Sequence, residues 1–404
     1  MIGAGAAGFF AAISAAESNP KAKVILFEGD RRALRKVKVS GGGRCNLTHH
    51  CFDPIELSKN YPRGAKELKS SFYRWQPQDT ICWFENRGVK TKTEKDGRMF
   101  PASDQSQTII DCLLKSANES NVSIQMEKRL INLWKKRNQW ELEFEDEEKL
   151  LVDCICLALG SLKASGIVNA LQDLGHTIEP LLPSLFAFNL SNHPFSELSG
   201  ISVAAAEIQT LPSGKLQAGP ILITHRGLSG PAVLRASAWD AKLLAAQNYT
   251  FQAKINWLGG RSKDEIAKDF KAFRVDLSKR ALSESPYSEI PKRLWRKLVE
   301  LSGIGKDTNW SQLNREKSRL LIDHLVEFRI QVKGKTTNKE EFVTCGGINL
   351  KEVDFRTMQS KLQPNLFFAG ECLDFDGITG GFNFQAAWTT GKIAGESMAG
   401  INRS

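Results

Sequence analysis

The sequence contains no C-x-x-C pair, no apolar run of 18 residues, no internal repeat and no low-complexity tract. Each absence excludes something. Without C-x-x-C, the eight cysteines (Cys45, Cys51, Cys82, Cys112, Cys154, Cys156, Cys345 and Cys372) signal neither a zinc ribbon nor a thioredoxin-type dithiol. They read as reduced thiols of a reducing compartment. Without a long apolar run there is no transmembrane helix to place. The start lacks the basic n-region and polar exit of a signal peptide. The expectation is a cytoplasmic chain with no membrane partner.

What is present is ordinary for a globular protein of 404 residues: 41% hydrophobic, 25% charged. That length allows two or three domains and a core needing no disulfide or metal staple. Lys and Arg number 55 against 45 Asp and Glu, a net +10. The excess suits an anionic partner such as a dinucleotide, an acidic substrate or RNA, although mild basicity is common.

The chain opens MIGAGAAGFF, in which Gly3, Gly5 and Gly8 form G-x-G-x-x-G around Ala4, Ala6 and Ala7. An Ala-rich helical run (Phe9 to Glu17) follows, then an apolar strand (Val24 to Phe27) ending in Glu28, 20 positions past Gly8. This is the dinucleotide fingerprint with its acidic partner. The glycines let a diphosphate approach the backbone, and the helix N-terminus offers unpaired N–H groups to it. Glu28 is placed to accept hydrogen bonds from ribose hydroxyls, and it disfavours a 2′-phosphate in this pocket. Only Met1 and Ile2 precede Gly3, where a whole central strand is usual. The expectation is therefore a longer natural chain or a fragile adenine end.

Residues 40–46, SGGGRCN, allow three readings. A metal could be held by His49, His50 and Cys51, but adjacent residues cannot easily all face one ion. Cys45 could be a redox thiol, but it has no partner four residues away. The preferred reading is close backbone approach: Ser40 to Gly43, with Gly42 and Gly43 at its tip, can lie against a flat ring or a phosphate because side chains are absent, Arg44 supplies charge, Asn46 supplies donors and an acceptor, and Cys45 sits between them. No metal is expected. Near the C-terminus, LFFAGE is an apolar strand leading to Gly370 and Glu371. Asp374 and Asp376 flank a turn, and Gly380, Gly381, Phe382 and Asn383 open a helix whose N-terminal amides suit a developing anion. CICLALGS (154–161) supplies another strand, ending at Gly160. Residues 121–153 read as an antiparallel meander.

SGGGRCN, GRMFPAS (97–103), ITHRGLSGPAVLRAS (223–237), TCGGI (344–348) and NLFFAGECLDFDGITGGFNFQAAWTTGKIAG (365–395) together resemble the BaiN/RdsA-type flavoproteins, bacterial NAD(P)/FAD-dependent oxidoreductases, some labelled aminoacetone oxidases. The resemblance spans essentially the whole chain. It implies an α/β fold: a glutathione-reductase-like Rossmann FAD-binding domain with an inserted β-barrel-like domain and a small helical subdomain. Glu371 then matches the carboxylate that bonds the ribityl hydroxyls. The expected boundaries are 1–185 and 344–404 for the FAD domain and 186–343 for the insert. Within the insert, 186–260 and 328–343 are β-rich, residues 341–343 included, and 261–327 are helical.

The expected activity is an FAD-dependent oxidoreductase reducing an activated C=C or C=O bond of a small molecule, with NAD(P)H as a transient co-substrate. The alternatives are a flavin amine oxidase and an RNA-associated flavoprotein, with RNA the less favoured partner. In the insert, His225 is the candidate proton donor and Arg226 a grip for a carboxylate or phosphate. Oligomeric state is not legible.

Overall fold

A parallel ladder joins the two ends of the chain. The strand Ile25–Phe27 pairs with Ser123–Gln125 on one side, and Leu366–Phe368 pairs with Ile155–Leu157 on the other. The central place between them is taken by Ile2, which bridges Phe27 and Leu157 in parallel. Four backbone bonds fix it: Ile2 N to Cys156 O, Ala158 N to Ile2 O, Phe27 N to Met1 O and Gly3 N to Phe27 O. Three residues thus fill the central register, and Ile2 is buried. The computed structural model describes residues 1–164, 166–336 and 343–401. The chain divides into two units, Met1–Pro183 with Lys339–Ser404, and Ser184–Asn338.

In the first unit the helices Ala6–Ser18 and Phe382–Ala399 lie side by side. Their contact is closer than ordinary side chains permit. A β-carbon on Gly391 would stand 2.5 Å from the Ala7 carbonyl oxygen, and one on Gly395 would stand 2.3 Å from that of Ala11. Phe10 packs between Trp83 and Trp388, with ring centroids 4.6 and 4.7 Å away. The expected meander is present as Leu130–Lys136, Gln139–Phe144 and Lys149–Val152. Ser123–Gln125, included in that reading, instead extends the parallel ladder. A second small sheet joins Thr48–His49, Arg98–Pro101 and Thr91–Thr93.

The second unit is a closed six-stranded antiparallel barrel. Ala187–Leu190 pairs with Gly227–Ser229, and the ladder continues through Gln217–Thr224, Ser202–Thr210 and Thr250–Asn256 to Phe328–Thr336, which returns to Ala187–Leu190. Burial alternates along Thr250–Asn256 and Phe328–Val332, with Phe251, Ala253, Ile255, Ile330 and Val332 inside. The helices Lys263–Asp276, Lys292–Leu301 and Arg315–Val326 pack around Phe270, Trp295 and Trp310. Ser262 and Glu265 form a capping box at the first of these helices. Of the strand expected at 341–343, residues 341 and 342 lie outside the described residues. Val343 begins Val343–Ile348, which pairs with Ile178–Ser184. The fold is the α/β architecture expected: a Rossmann-type unit, a barrel and a helical part.

Candidate functional site

The glycine-rich turn is built by contact. A β-carbon on Gly8 would lie 1.9 Å from the Gly3 carbonyl oxygen, so helix and turn meet backbone to backbone. At Gly5 a β-carbon would meet nothing within 4 Å, and the helix Ala6–Ser18 starts without a side-chain cap. Open space therefore faces amide groups at a positive helix end. Glu28 stands at the turn, accepting from Ala4 N at 2.8 Å and from Asp30 N at 3.0 Å. Ala7 is buried where Gly370 approaches it.

The helix Arg35–Gly43 ends in three successive left-handed glycines, Gly41, Gly42 and Gly43, with φ of 58, 70 and 85°. Cys45 follows with φ 63°. Such a run is readily adopted by glycine alone, and β-carbons at Gly42 and Gly43 would again meet nothing. Arg44 turns towards Glu94 at 2.6 Å and Asp104 at 3.6 Å, over the Phe100 ring. Burial pushes the Cys45 thiol up to about 12, so it is no thiolate near neutral pH.

This loop and the C-terminal turn are sewn together. With its amide oxygen facing the turn, Asn46 accepts from Gly381 N at 2.9 Å and donates to Thr48 O at 3.2 Å. Thr48 Oγ1 donates to Gln385 at 2.6 Å, and Trp388 Nε1 donates to Leu47 O at 2.9 Å. His49 stacks on Phe382 at 4.6 Å and bonds Asp96 O through Nε2, which absorbs it into the scaffold. Tyr61, its hydroxyl held far above the usual range by burial, donates to Phe382 O at 2.6 Å. Asn383 bonds Gly377 in both directions, N to Oδ1 at 2.8 Å and Nδ2 to O at 2.9 Å. Gly380 carries a positive φ of 133° beside the Phe382 ring. The helix Phe382–Ala399 also begins without a side-chain cap.

Asp376 is fully buried and bonds Arg63 through both oxygens. Glu371 accepts from Lys36 at 2.5 Å and from Thr344 N at 2.9 Å, with Gly160 alongside. Thr48 and Arg63 carry no local signal in the sequence, because their partners are distant in the chain; Lys36 lies in the basic run at 31–38 and Thr344 opens TCGGI. His225 and Arg226 are exposed in the turn between Gln217–Thr224 and Gly227–Ser229 of the barrel.

The first unit therefore has two open, side-chain-free patches, each beside an uncapped helix N-terminus, with carboxylates at Glu28 and Glu371. These residues fit FAD. Gly3, Gly5, Ala6, Gly8 and Glu28 would hold the adenosine and diphosphate. Gly42, Gly43 and the amides of Phe382 and Asn383 would hold the ring, with Asn46 fixing the turn through Gly381, and Glu371 would hold the ribityl chain. Among the described residues no group of three His, Cys, Asp or Glu side chains is arranged around a metal, and no helix is long and apolar enough to cross a membrane.

A family model described as the HI0933-like protein Rossmann domain matches residues 1–397. The chain is 28% identical over 411 residues to a ribosomal RNA dihydrouridine synthase of Escherichia coli, covering 100% of this chain and 98% of that protein. It is 28% identical over 407 residues to a 3-dehydro-bile acid delta(4,6)-reductase of Clostridium scindens, covering 99% and 98%. Its fold is similar to that of 3-ketosteroid-delta4-(5alpha)-dehydrogenase from Rhodococcus jostii RHA1, with a TM-score of 0.51 at 13% identity, covering 98% and 95%.

Proposed function

The chain belongs to the HI0933-like Rossmann-domain family, and from that premise we propose that it is an FAD-dependent reductase of a C=C bond conjugated to a carbonyl, with a uracil base in RNA as substrate and NAD(P)H as electron source. Both relatives support the reaction class. Making dihydrouridine adds two hydrogens across the uracil C5–C6 bond, beside the C4 carbonyl. A 3-oxo steroid with delta(4,6) unsaturation is the same kind of conjugated acceptor.

The observation that carries the choice of substrate is where the charge lies. Residues 184–338 hold 23 Lys and Arg against 14 Asp and Glu, a net +9 of the chain's +10. The rest holds 32 against 31. A cofactor site alone gives no reason to load the insert with cations. A polyanionic substrate does.

FAD, when bound, supplies the hydride. The chain's own groups do the rest. The amides of Phe382 and Asn383, with the helix dipole behind them, would offset negative charge on the bound ring. The carbon next to the carbonyl takes a proton, for which exposed His225 of the insert is the candidate donor, and the carbon one bond further takes the hydride. Arg226 grips a phosphate. NAD(P)H is oxidised to NAD(P)⁺ as substrate gains one hydride and one proton. The sequence has one glycine-rich dinucleotide turn, so the nicotinamide visits transiently.

The test is to incubate FAD-loaded protein anaerobically with NADH or NADPH and protein-free ribosomal RNA, then weigh the nucleosides by mass spectrometry. The expected result is uridine gaining two hydrogens. Unchanged uridine, with flavin reduced by added amines instead, would contradict the proposal.

A further inference from the structure

Two cations stand directly opposite each other on the outside of the barrel. Lys254, on the strand Thr250–Asn256, is in register with Arg329 on Phe328–Thr336. Their neighbours Ala253, Ile255, Phe328 and Ile330 are buried, so both side chains point outward. Lys333, exposed and four residues beyond Arg329, faces Thr250. Between these cations Gln252 lies opposite Gln331, and Gln209 lies beside Lys254 on the next strand. The only carboxylate on the three strands is Glu207, in register with Asn256. Lys254, Arg329 and Lys333 have no ion pair among the described residues.

This arrangement has no structural reason. Like charges directly opposite weaken an antiparallel pair. Lysines guard exposed sheet edges against mispairing, but a closed barrel has no edge to guard. The face is a stripe roughly 13 Å long between Arg329 and Lys333, at about 3.3 Å per residue, made of cations and amides. We propose that it is a surface on which the enzyme holds RNA. Lys254, Arg329 and Lys333 neutralise backbone phosphates, and Gln209, Gln252 and Gln331 bond phosphate and sugar oxygens irrespective of sequence. The proposal rests on the reading of RNA as substrate.

The test uses FAD-loaded protein and filter binding to protein-free ribosomal RNA over a series of KCl concentrations. The triple variant Lys254→Gln/Arg329→Gln/Lys333→Gln should bind about tenfold or more weakly at low salt. Its slope of log affinity against log salt should be shallower by about 2, at roughly 0.7 per phosphate on a single strand. Flavin absorbance reports that it is folded. The single variant Arg329→Glu sets an anion opposite Lys254. It should raise the unfolding midpoint and weaken RNA binding in the same molecule, a combination that misfolding cannot produce. If wild type and triple variant bind RNA with equal affinity and slope, this face is not the surface, while RNA remains the substrate. If wild type shows no salt-dependent RNA binding, the substrate reading fails and takes this one with it. Binding to phosphatidylglycerol vesicles without binding to RNA would reassign the face to a membrane and overturn the proposal.

Discussion

A β-carbon on Gly381 would stand 2.5 Å from the carbonyl oxygen of Thr48, at a φ of +93° that side chains rarely adopt. That approach lets residues 46–49 lie against the start of the helix Phe382–Ala399, where the Asn46–Gly381, Thr48–Gln385 and Leu47–Trp388 bonds also hold them. Gly381→Ala should therefore separate them. The expected cost is about 1–3 kcal/mol of stability, with loss of bound flavin, read as the ratio of visible to ultraviolet absorbance. Full flavin content in this variant would show that the two segments need not touch.

The Cys45 thiol is buried and raised by desolvation to about 12. It should resist iodoacetamide in the folded protein at pH 7.5, while exposed Cys82 reacts. Cys45→Ala should keep its flavin and most of its activity. Loss of turnover with flavin retained would restore the thiol to the chemistry.

Asp376 and Arg63 neutralise each other in a dry place, with 0% and 12% of their side chains exposed. Coulombic attraction and hydrogen bonding to Asp376 hold the Arg63 guanidinium above its ordinary value despite desolvation. Asp376→Asn removes the buried anion bonded to Arg63 and should cost up to about 3–5 kcal/mol in urea unfolding. The double variant Asp376→Leu/Arg63→Met should cost less than Asp376→Asn alone. Equal costs would mean that the pair is not the source.

His176 is buried between Glu352 and Ser360. Burial lowers its pKa below the ordinary 6.5, with Glu352 opposing the shift. The unfolded chain therefore binds a proton more readily than the folded one. Stability contributed by the neutral ring is present above the unfolded pKa and is lost as pH falls below 6.5 towards the folded value. Melting temperature should drop between pH 7.5 and 5.5, and His176→Gln should flatten that drop. An identical drop in the variant would place the titrating group elsewhere.

The parts of the molecule legible in the sequence are those written in neighbouring residues. The G-x-G-x-x-G turn, the glycine tract at 41–43 and the motifs that carry the family resemblance each declare themselves within a few positions. The family resemblance read from five motifs agrees with the family model over residues 1–397. What stayed hidden is long-range. Thr48 meets Gln385 across 337 positions and Arg63 meets Asp376 across 313; neither partner marks the other. The role of Met1 and Ile2 was equally hidden. Two residues look too few for a strand, yet strands on both sides supply the ladder for Ile2.

The central claim is that the two glycine patches of the first unit hold a flavin that a nicotinamide can reduce. The direct measurement is an anaerobic titration of the purified, FAD-supplemented protein with NADH and with NADPH, following the visible flavin band. The account predicts about one FAD per chain and bleaching of the band by at least one of the two donors. A protein that takes up no FAD, or a bound flavin that neither nucleotide bleaches, would contradict it.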